Sequence, residues 1–254
     1  MLVVFVAVTV GLVMLVHTAP APLLLEWCYR TIALWHMPRT GTPTVYLTFD
    51  DGPNLSATAE LLNVLAREHV RATFFVVDRH LTAETAPLIR RMFEEGHAVG
   101  IHSYRRALLL LGRSAFADWV TRAAARIEAL SGRPPCRVFR PHAGWRTVEM
   151  LAGLRQIDYR MVGWGWMLWD WNWYRPPSAD ALVPRLLARV RSGDIVVMHD
   201  GHEAHQHADR RYTVETVSRL IPALRARGFS FGVVCEPVTP PRTLRGIESS
   251  RASP

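Results

Sequence analysis

Two adjacent carboxylates, Asp50 and Asp51, end an apolar, β-branched stretch in the sequence VYLTFDDGPN, residues 45–54. Composition predicts a buried strand over Val45 to Phe49, and the following Gly-Pro pair is a turn signal that stops it. Side chains alternate faces along a strand, so only a tight turn could bring both carboxylates to one site. Their repulsion would be costly unless a cation lies nearby or one group is protonated. The pair therefore indicates either a cation site or a polar turn.

The elements that must position these carboxylates alternate along the chain. Strands are predicted at 44–49, 72–77, 97–101, 137–140, 159–164, 194–198 and 229–234, and helices at 57–68, 84–95, 115–130, 147–155, 179–191 and 213–227. This alternation predicts an α/β fold of about seven parallel strands with right-handed crossovers, most economically a barrel. In such barrels, functional residues collect at the carboxyl ends of strands. Polar, titratable residues recur at those ends: Asp50, Asp51, His102, Arg140, Asp170, His199 and Asp200.

Five segments resemble, in order, the motifs of polysaccharide deacetylases of the NodB-homology type, carbohydrate esterase family 4. They are TFDDGP at 48–53, HSYRR at 102–106, FRPHAG at 139–144, Asp170-Trp171 and IVVMHD at 195–200. The resemblance covers roughly residues 43–235. It implies a distorted (β/α) barrel that removes N- or O-acetyl groups from sugars with a divalent metal. Zinc is the first expectation, with cobalt, nickel or manganese as alternatives.

The resemblance also implies catalytic roles. Asp50 would be the general base, and Arg140 would pair with it and keep it ionised. Asp170 would orient His199, which would protonate the leaving amine as general acid.

The same resemblance implies metal-binding and substrate-binding residues. Asp51 and His102 would ligate the metal, which polarises the amide carbonyl and lowers the pKa of its bound water. Trp171, the backbone N–H of Ala143, and Met198 would contact the substrate, an N-acylated glycan or glycoconjugate.

Two positions depart from the family pattern. The family has a second metal-binding histidine four residues after His102, and Arg106 stands there. A guanidinium cannot ligate a divalent cation and repels it, whereas zinc usually takes three protein ligands. His142 replaces the family's proline and is either a substitute ligand or a histidine hydrogen-bonded to backbone. A catalytically weakened barrel that only binds glycan is therefore an alternative function.

Two further clusters have more than one interpretation. The segment 199–207 contains four histidines in nine residues, which could bind metal or form a solvated loop. Five tryptophans alternate between Trp164 and Trp173, where they could form core, stack on sugar rings, or face a lipid carrier. A deacylase of a lipid-linked sugar is thus a third possibility.

Composition limits the partners. The chain has 254 residues, is 49% hydrophobic, and has a net charge of +8, with all 30 basic residues being arginine. These arginines are scattered, so we expect no nucleic-acid partner. The sequence predicts no particular oligomeric state.

Three widely spaced cysteines, Cys28, Cys136 and Cys235, argue against a disulfide framework, and we expect Cys136 and Cys235 to be inert packing residues.

The predicted domain organisation has four parts. Residues 1–25 form an apolar segment, a membrane anchor or signal segment, since spanning needs about 20 apolar residues and a signal core roughly 7–15. Residues 26–43 are a linker, 44–236 the deacetylase domain, and 237–254 a disordered tail. Arg30 and Arg39 would leave the domain in the cytoplasm by the positive-inside rule. A glycan substrate instead favours an extracytoplasmic domain, and we expect that location.

Overall fold

The computed structural model of the protein describes residues 4–6, 8, 33–39, 41–163, 166–167 and 177–235. Most of the predicted anchor, the predicted tail, and the site candidates Asp170 and Trp171 lie outside these residues. Within the described part of the chain, none of the helices combines the length and the apolar character that crossing a membrane requires.

A parallel sheet organises the described residues. Its strands are β1 (Ala33–Leu34), β2 (Thr44–Asp50), β3 (Thr73–Val77), β4 (Ala98–His102), β5 (Val138–Arg140), β6 (Arg160–Val162), β7 (Trp166–Met167), β8 (Ile195–His199) and β9 (Ser230–Phe231). Their order is β1-β6-β5-β4-β3-β2-β8-β7, and β9 pairs with the start of β2. All strand pairings within the described ranges are parallel.

Helices connect the strands. They are α1 (Thr58–Arg67), α2 (Ala86–Glu94), α3 (Arg113–Ser131), α4 (Val148–Gln156), α5 (Ala179–Arg189) and α6 (Arg211–Ala226). Short 3₁₀ turns at Asp78–His80, Arg106–Leu110 and His142–Gly144 follow the ends of β3, β4 and β5. Thr147 begins α4 by accepting a hydrogen bond from the Met150 N–H, which satisfies one of the free donors of the first turn.

The predicted parallel α/β architecture is confirmed, as a curled half-barrel. Each predicted strand and helix has a counterpart, although β9 is only two residues long. The two-residue strands β1 and β7 were not predicted, because segments this short leave no periodic pattern. Within the described residues the sheet is open between β1 and β7.

Central strands of this sheet are buried on both faces. Every residue of β3 (TFFVV) and β4 (AVGIH) is buried, as expected where helices cover a parallel sheet. The rings of Phe49 and Phe74 lie 5.3 Å apart in the core between neighbouring strands. This packing fixes the register of the strands and hence the positions of their carboxyl ends.

That register places the motif residues side by side. Asp50 of β2 is the Cα partner of His199 of β8, and His102 of β4 is the partner of Arg140 of β5. Four motif segments that are separated in sequence therefore end at one edge of the sheet.

The expectation that Cys136 and Cys235 are inert packing residues is wrong. They form a disulfide, with Cα atoms 6.4 Å apart across a sequence separation of 99 residues. Wide spacing did not reveal the pair, because the segment before β5 and the segment after β9 come together only in the folded chain. The bond ties the last described residue of the domain to the segment that leads into β5.

Candidate active site

A buried ion pair lies at the centre of the site. The Arg140 Nη1 atom donates to Asp50 Oδ1 at 2.6 Å, and the two residues are 1% and 3% exposed. An ionised carboxylate paired with a buried guanidinium is held in one orientation. The predicted pairing of Arg140 with Asp50 is thus present in the structure.

Several other contacts fix the Arg140 guanidinium. Nη1 also donates to Thr48 Oγ1 at 2.8 Å, and Nη2 donates to the Gly163 carbonyl at 3.0 Å. Its Cζ lies 4.0 Å from the centroid of the Phe75 ring. Burial lowers the pKa of Arg140, and the Asp50 carboxylate opposes this shift. The guanidinium is therefore a fixed cation that orients Asp50.

The turn after β2 separates the two carboxylates. Asp51 adopts a left-handed backbone conformation, with φ of 69°, which turns its side chain away from the direction that a continuing strand would give it. Gly201 packs against this turn so closely that a Cβ there would overlap the Asp51 carbonyl oxygen. A Cβ on Gly52 would lie 2.5 Å from Asp200 Oδ2. The Asp51-Gly52 turn is therefore held from two sides by the chain that follows β8.

Asp51 faces an imidazole. His102 Nε2 lies 3.4 Å from Asp51 Oδ1, and both residues are buried. Burial by itself raises the pKa of Asp51, but interaction with His102 and the charges of His199 and His142 hold this pKa below its usual range. Burial lowers the pKa of His102, but the two carboxylates outweigh it and raise this pKa.

The tautomer of His102 follows from its other nitrogen. Nδ1 lies 2.8 Å from the Arg140 carbonyl, which can only accept, so Nδ1 donates to it in this contact. In the neutral form that binds a metal, Nε2 is therefore the nitrogen without a proton, and it lies on the side of Asp51. This is the arrangement that orients a metal-ligating histidine in proteins.

His142 and Ala143 lie beside this pair. The His142 ring centroid is 6.2 Å from that of His102, and the His142 N–H donates to Ser103 Oγ at 2.8 Å. Burial lowers the pKa of His142, and the charge of His102 adds to this shift. Ala143 is exposed and has a φ of 50°, and it lies in the turn that follows β5.

Arg106 points away from the carboxylates. It is exposed, and its guanidinium stacks on the Trp145 ring at 5.1 Å. Of the two arrangements open to this residue, an ion pair with Asp51 or an outward side chain, the structure has the second.

His199 lies one strand away from the ion pair. Its Cα is paired with that of Asp50, its side chain is partly exposed, and its carbonyl accepts from Thr213 Oγ1 at 2.8 Å. Met198, next to it on β8, is 1% exposed and packs in the core, which leaves no surface for the predicted substrate contact. The inward direction of the Met198 side chain follows from the alternation of side chains along the strand.

Asp200 was given no role by the sequence. It is 1% exposed, it accepts a short hydrogen bond from Thr58 Oγ1, and burial raises its pKa to about 7. The position of Asp200 directly after His199 in the IVVMHD motif could have indicated a role at the site. Its burial behind Gly52, however, depends on the tertiary structure. Its contacts indicate that it supports the Asp51-Gly52 turn.

The histidine-rich loop lies beside the site. Its rings His202 and His205 are 4.8 Å apart, and the His202 carbonyl is 2.9 Å from Nε2 of His80. A cleft of about 580 Å³ is lined by Arg79, His80 and residues 204–208. Among the described residues, neither this loop nor the site assembles three side chains in a metal-binding geometry.

Two side chains at the site fit a divalent cation. Asp51 Oδ1 is buried without a hydrogen-bond partner among the described residues, and His102 presents Nε2 to it. A buried carboxylate oxygen of this kind is costly unless something satisfies it. The carboxylate–imidazole donor set suits zinc or another transition metal. A third protein ligand is not assembled within the described part of the chain.

Comparison with known proteins identifies the family. The sequence profile of polysaccharide deacetylases matches residues 38–162. The chain is 38% identical over 201 residues to a chitooligosaccharide deacetylase of Sinorhizobium fredii, across 76% of this chain and 92% of the relative. The chain belongs to the polysaccharide deacetylase family. This confirms the predicted family and its class, hydrolases of non-peptide carbon–nitrogen bonds.

Two other relatives extend the comparison. A peptidoglycan-N-acetylglucosamine deacetylase of Bacillus cereus is 27% identical over 214 residues, across 80% of this chain and 91% of the relative. The structure is similar to that of a family 4 acetyl xylan esterase from Clostridium thermocellum in complex with a cobalt ion. That similarity has a TM-score of 0.66 and 30% identity, over 75% of this chain and 87% of the esterase. The family depends on metal, as predicted.

Proposed function

We propose that the protein removes an N-acetyl group from a sugar residue of an oligosaccharide or polysaccharide by metal-assisted hydrolysis. The observation that carries this proposal is the buried Asp50–Arg140 ion pair beside the Asp51–His102 pair, with His199 one strand away. The arrangement offers a base, a cation site and an acid at one edge of the sheet. The similarity of the chain to a chitooligosaccharide deacetylase favours β-linked N-acetylglucosamine as the sugar.

Asp51 and His102 would hold the cation. When bound, a divalent ion polarises the amide carbonyl and lowers the pKa of water. The chain contributes the ligand orientation, because the Arg140 carbonyl fixes the His102 tautomer and Gly201 supports the Asp51 turn. The backbone N–H of Ala143 is proposed as a donor to the developing oxyanion.

Residues on either side of the proposed cation site would transfer the protons. Asp50 accepts the proton of the attacking water, and Arg140 orients this carboxylate. His199 donates a proton to the departing nitrogen, so that the tetrahedral intermediate collapses towards the amine. Asp170, outside the described residues, is the proposed partner that orients His199, and Trp171 the proposed sugar-stacking residue.

His142 is proposed as the third metal ligand. It would take the place of the family's second metal-binding histidine, whose position Arg106 occupies in this chain. Two imidazoles that share a zinc ion at about 2.0–2.1 Å have ring centroids roughly 5–6 Å apart. The His102 and His142 ring centroids are 6.2 Å apart, and the partly exposed His142 ring is the nearest candidate for this position. Arg106 stacks on Trp145 and forms no ion pair with Asp51 among the described residues.

Hydrolysis of N-acetylated chito-oligosaccharides tests the proposal. Released acetate and free amine should appear with added zinc or cobalt, and a chelator should abolish both. Absence of hydrolysis with full metal occupancy would contradict the function.

A second function, glycan binding without hydrolysis, is favoured by one observation. Within the described residues, no third metal ligand is assembled. The metal content of the purified protein separates the two functions, because about one ion per chain supports hydrolysis. A metal-free protein that binds oligosaccharide would support the binding function.

We also propose that residues 1–25 anchor the chain and that the catalytic domain faces the extracytoplasmic side. The Cys136–Cys235 disulfide supports this location, since disulfides persist in oxidising compartments. A lipid-linked sugar is the alternative substrate that such an anchor would suit. Cysteine-accessibility labelling of whole cells tests the orientation.

A further inference from the structure

Three exposed arginines lie against two aromatic rings in the segments that follow β3, β4 and β5. The guanidinium groups of Arg79 and Arg105 lie 5.2 and 5.4 Å from the centroid of the Tyr104 ring, and that of Arg106 lies 5.1 Å from the Trp145 ring. We name these five residues the arginine rim. Stacking on aromatic faces restricts each guanidinium and leaves its edge donors available.

The arginine rim gathers three guanidinium groups against two neighbouring rings. Among the described residues, no carboxylate forms an ion pair with Arg79, Arg105 or Arg106. The rim is therefore a concentration of positive charge without internal compensation.

This positive charge borders the active site. Arg106 follows His102 by four residues and begins the 3₁₀ turn after β4. Arg79 precedes His80, and its Nη1 donates to the Glu203 carbonyl at 3.2 Å, which ties it to the loop after β8. Both ends of the rim thus reach loops that surround Asp51 and His102.

We propose that the arginine rim binds an anionic group of the glycan substrate, a phosphate or a carboxylate next to the sugar that is deacetylated. This inference rests on the proposed function and specifies its substrate as an acidic glycan. Guanidinium groups bind both anions through paired N–H donors, and several exposed charges together bind more strongly than one. The replacement of a metal-binding histidine by Arg106 then has a use, because an outward arginine contributes to this rim.

Binding measurements separate this inference from catalysis. Calorimetry would compare three tetramers of N-acetylglucosamine: the neutral form, the 1-phosphate, and the form oxidised to a terminal carboxylate. The full-length Asp50→Asn protein prevents turnover, and chelator-treated native protein replaces it if that variant does not fold. At low salt, we expect the charged tetramers to bind about tenfold more tightly than the neutral one. A stronger preference for phosphate or for carboxylate identifies the source of the anion.

Arginine variants test whether the rim is responsible. The Arg105→Gln/Arg106→Gln double variant should lose the preference for charged tetramers and keep its affinity for the neutral one. Arg126→Gln, an exposed arginine on α3, is the matched control and should keep the preference. Equal binding of all tetramers by the native protein, or an equal loss for all three in the double variant, would overturn the inference. Hydrolysis without any preference for charged tetramers would refute only the proposed role of the arginine rim. Preference for charged tetramers without hydrolysis would refute only the proposed function.

Discussion

Replacing Asp50 with asparagine separates the proposed base from the proposed metal ligand. The substitution preserves the shape of the side chain and removes its charge, while Asp51 and His102 keep their contact at 3.4 Å. A general base typically contributes 10²–10⁴-fold to the rate, so activity should fall to about 1% or less. Metal affinity should change little, since the substituted side chain is not a proposed ligand.

The same substitution should lower stability by a magnitude that the structure sets. Removing one partner of a buried ion pair costs about 3–5 kcal/mol, because the other charge is left uncompensated. Arg140 is 1% exposed but still donates to Thr48 and Gly163, and asparagine keeps one acceptor oxygen. We therefore expect a loss near the lower limit, about 3 kcal/mol in the free energy of unfolding.

Three measurements check this prediction: urea unfolding, acetate release, and zinc or cobalt titration. Asp51→Asn is the matched control, since it removes a neighbouring carboxylate and should lower metal affinity. If Asp50→Asn retained more than a few per cent of activity, the assignment of the base would be refuted. Equal loss of metal in both variants would instead show that the two carboxylates share one role.

Further predictions concern the support of the site and the stability of the domain. Gly201→Ala should push against the Asp51 turn, lowering stability by about 1–3 kcal/mol in urea unfolding and weakening zinc binding. Replacing Cys136 and Cys235 with serine opens a constraint across 99 residues and should cost about 2–5 kcal/mol, and unchanged thermal stability would argue against the bond. Burial lowers the pKa of His97 to about 4, so the free energy of unfolding should fall by about 3 kcal/mol as pH drops from 6.5 to 4. That fall arises because the unfolded chain takes up the proton at a higher pH than the folded chain, and in His97→Asn the fall should be smaller by the same amount.

The element types were predictable because they depend on local patterns. Continuous apolar runs such as TFFVV predict buried strands, and helical periodicity between them predicts the crossovers. The motif residues follow these runs directly, so their collection at one sheet edge was predicted from chain order alone. The contact between Asp50 and Arg140, which the family resemblance implied, joins residues 90 apart at this edge.

Several features could not be read from the sequence because they depend on contacts between distant segments. Asp200 is buried by Thr58, 142 residues away, and the disulfide joins residues 99 apart. Met198 and His199 are adjacent in the motif, yet the pleat of β8 sends one into the core and the other to the site.

Local composition and motif spacing encode the family, the parallel α/β order and the residue types available for chemistry. How those residues are used depends on the packing of the folded chain. A left-handed turn, supported by Gly201, separates Asp51 from Asp50, and stacking on Trp145 directs Arg106 outward. Both outcomes depend on which side chains pack together after the strands have aligned, and no local pattern in the chain contains that information.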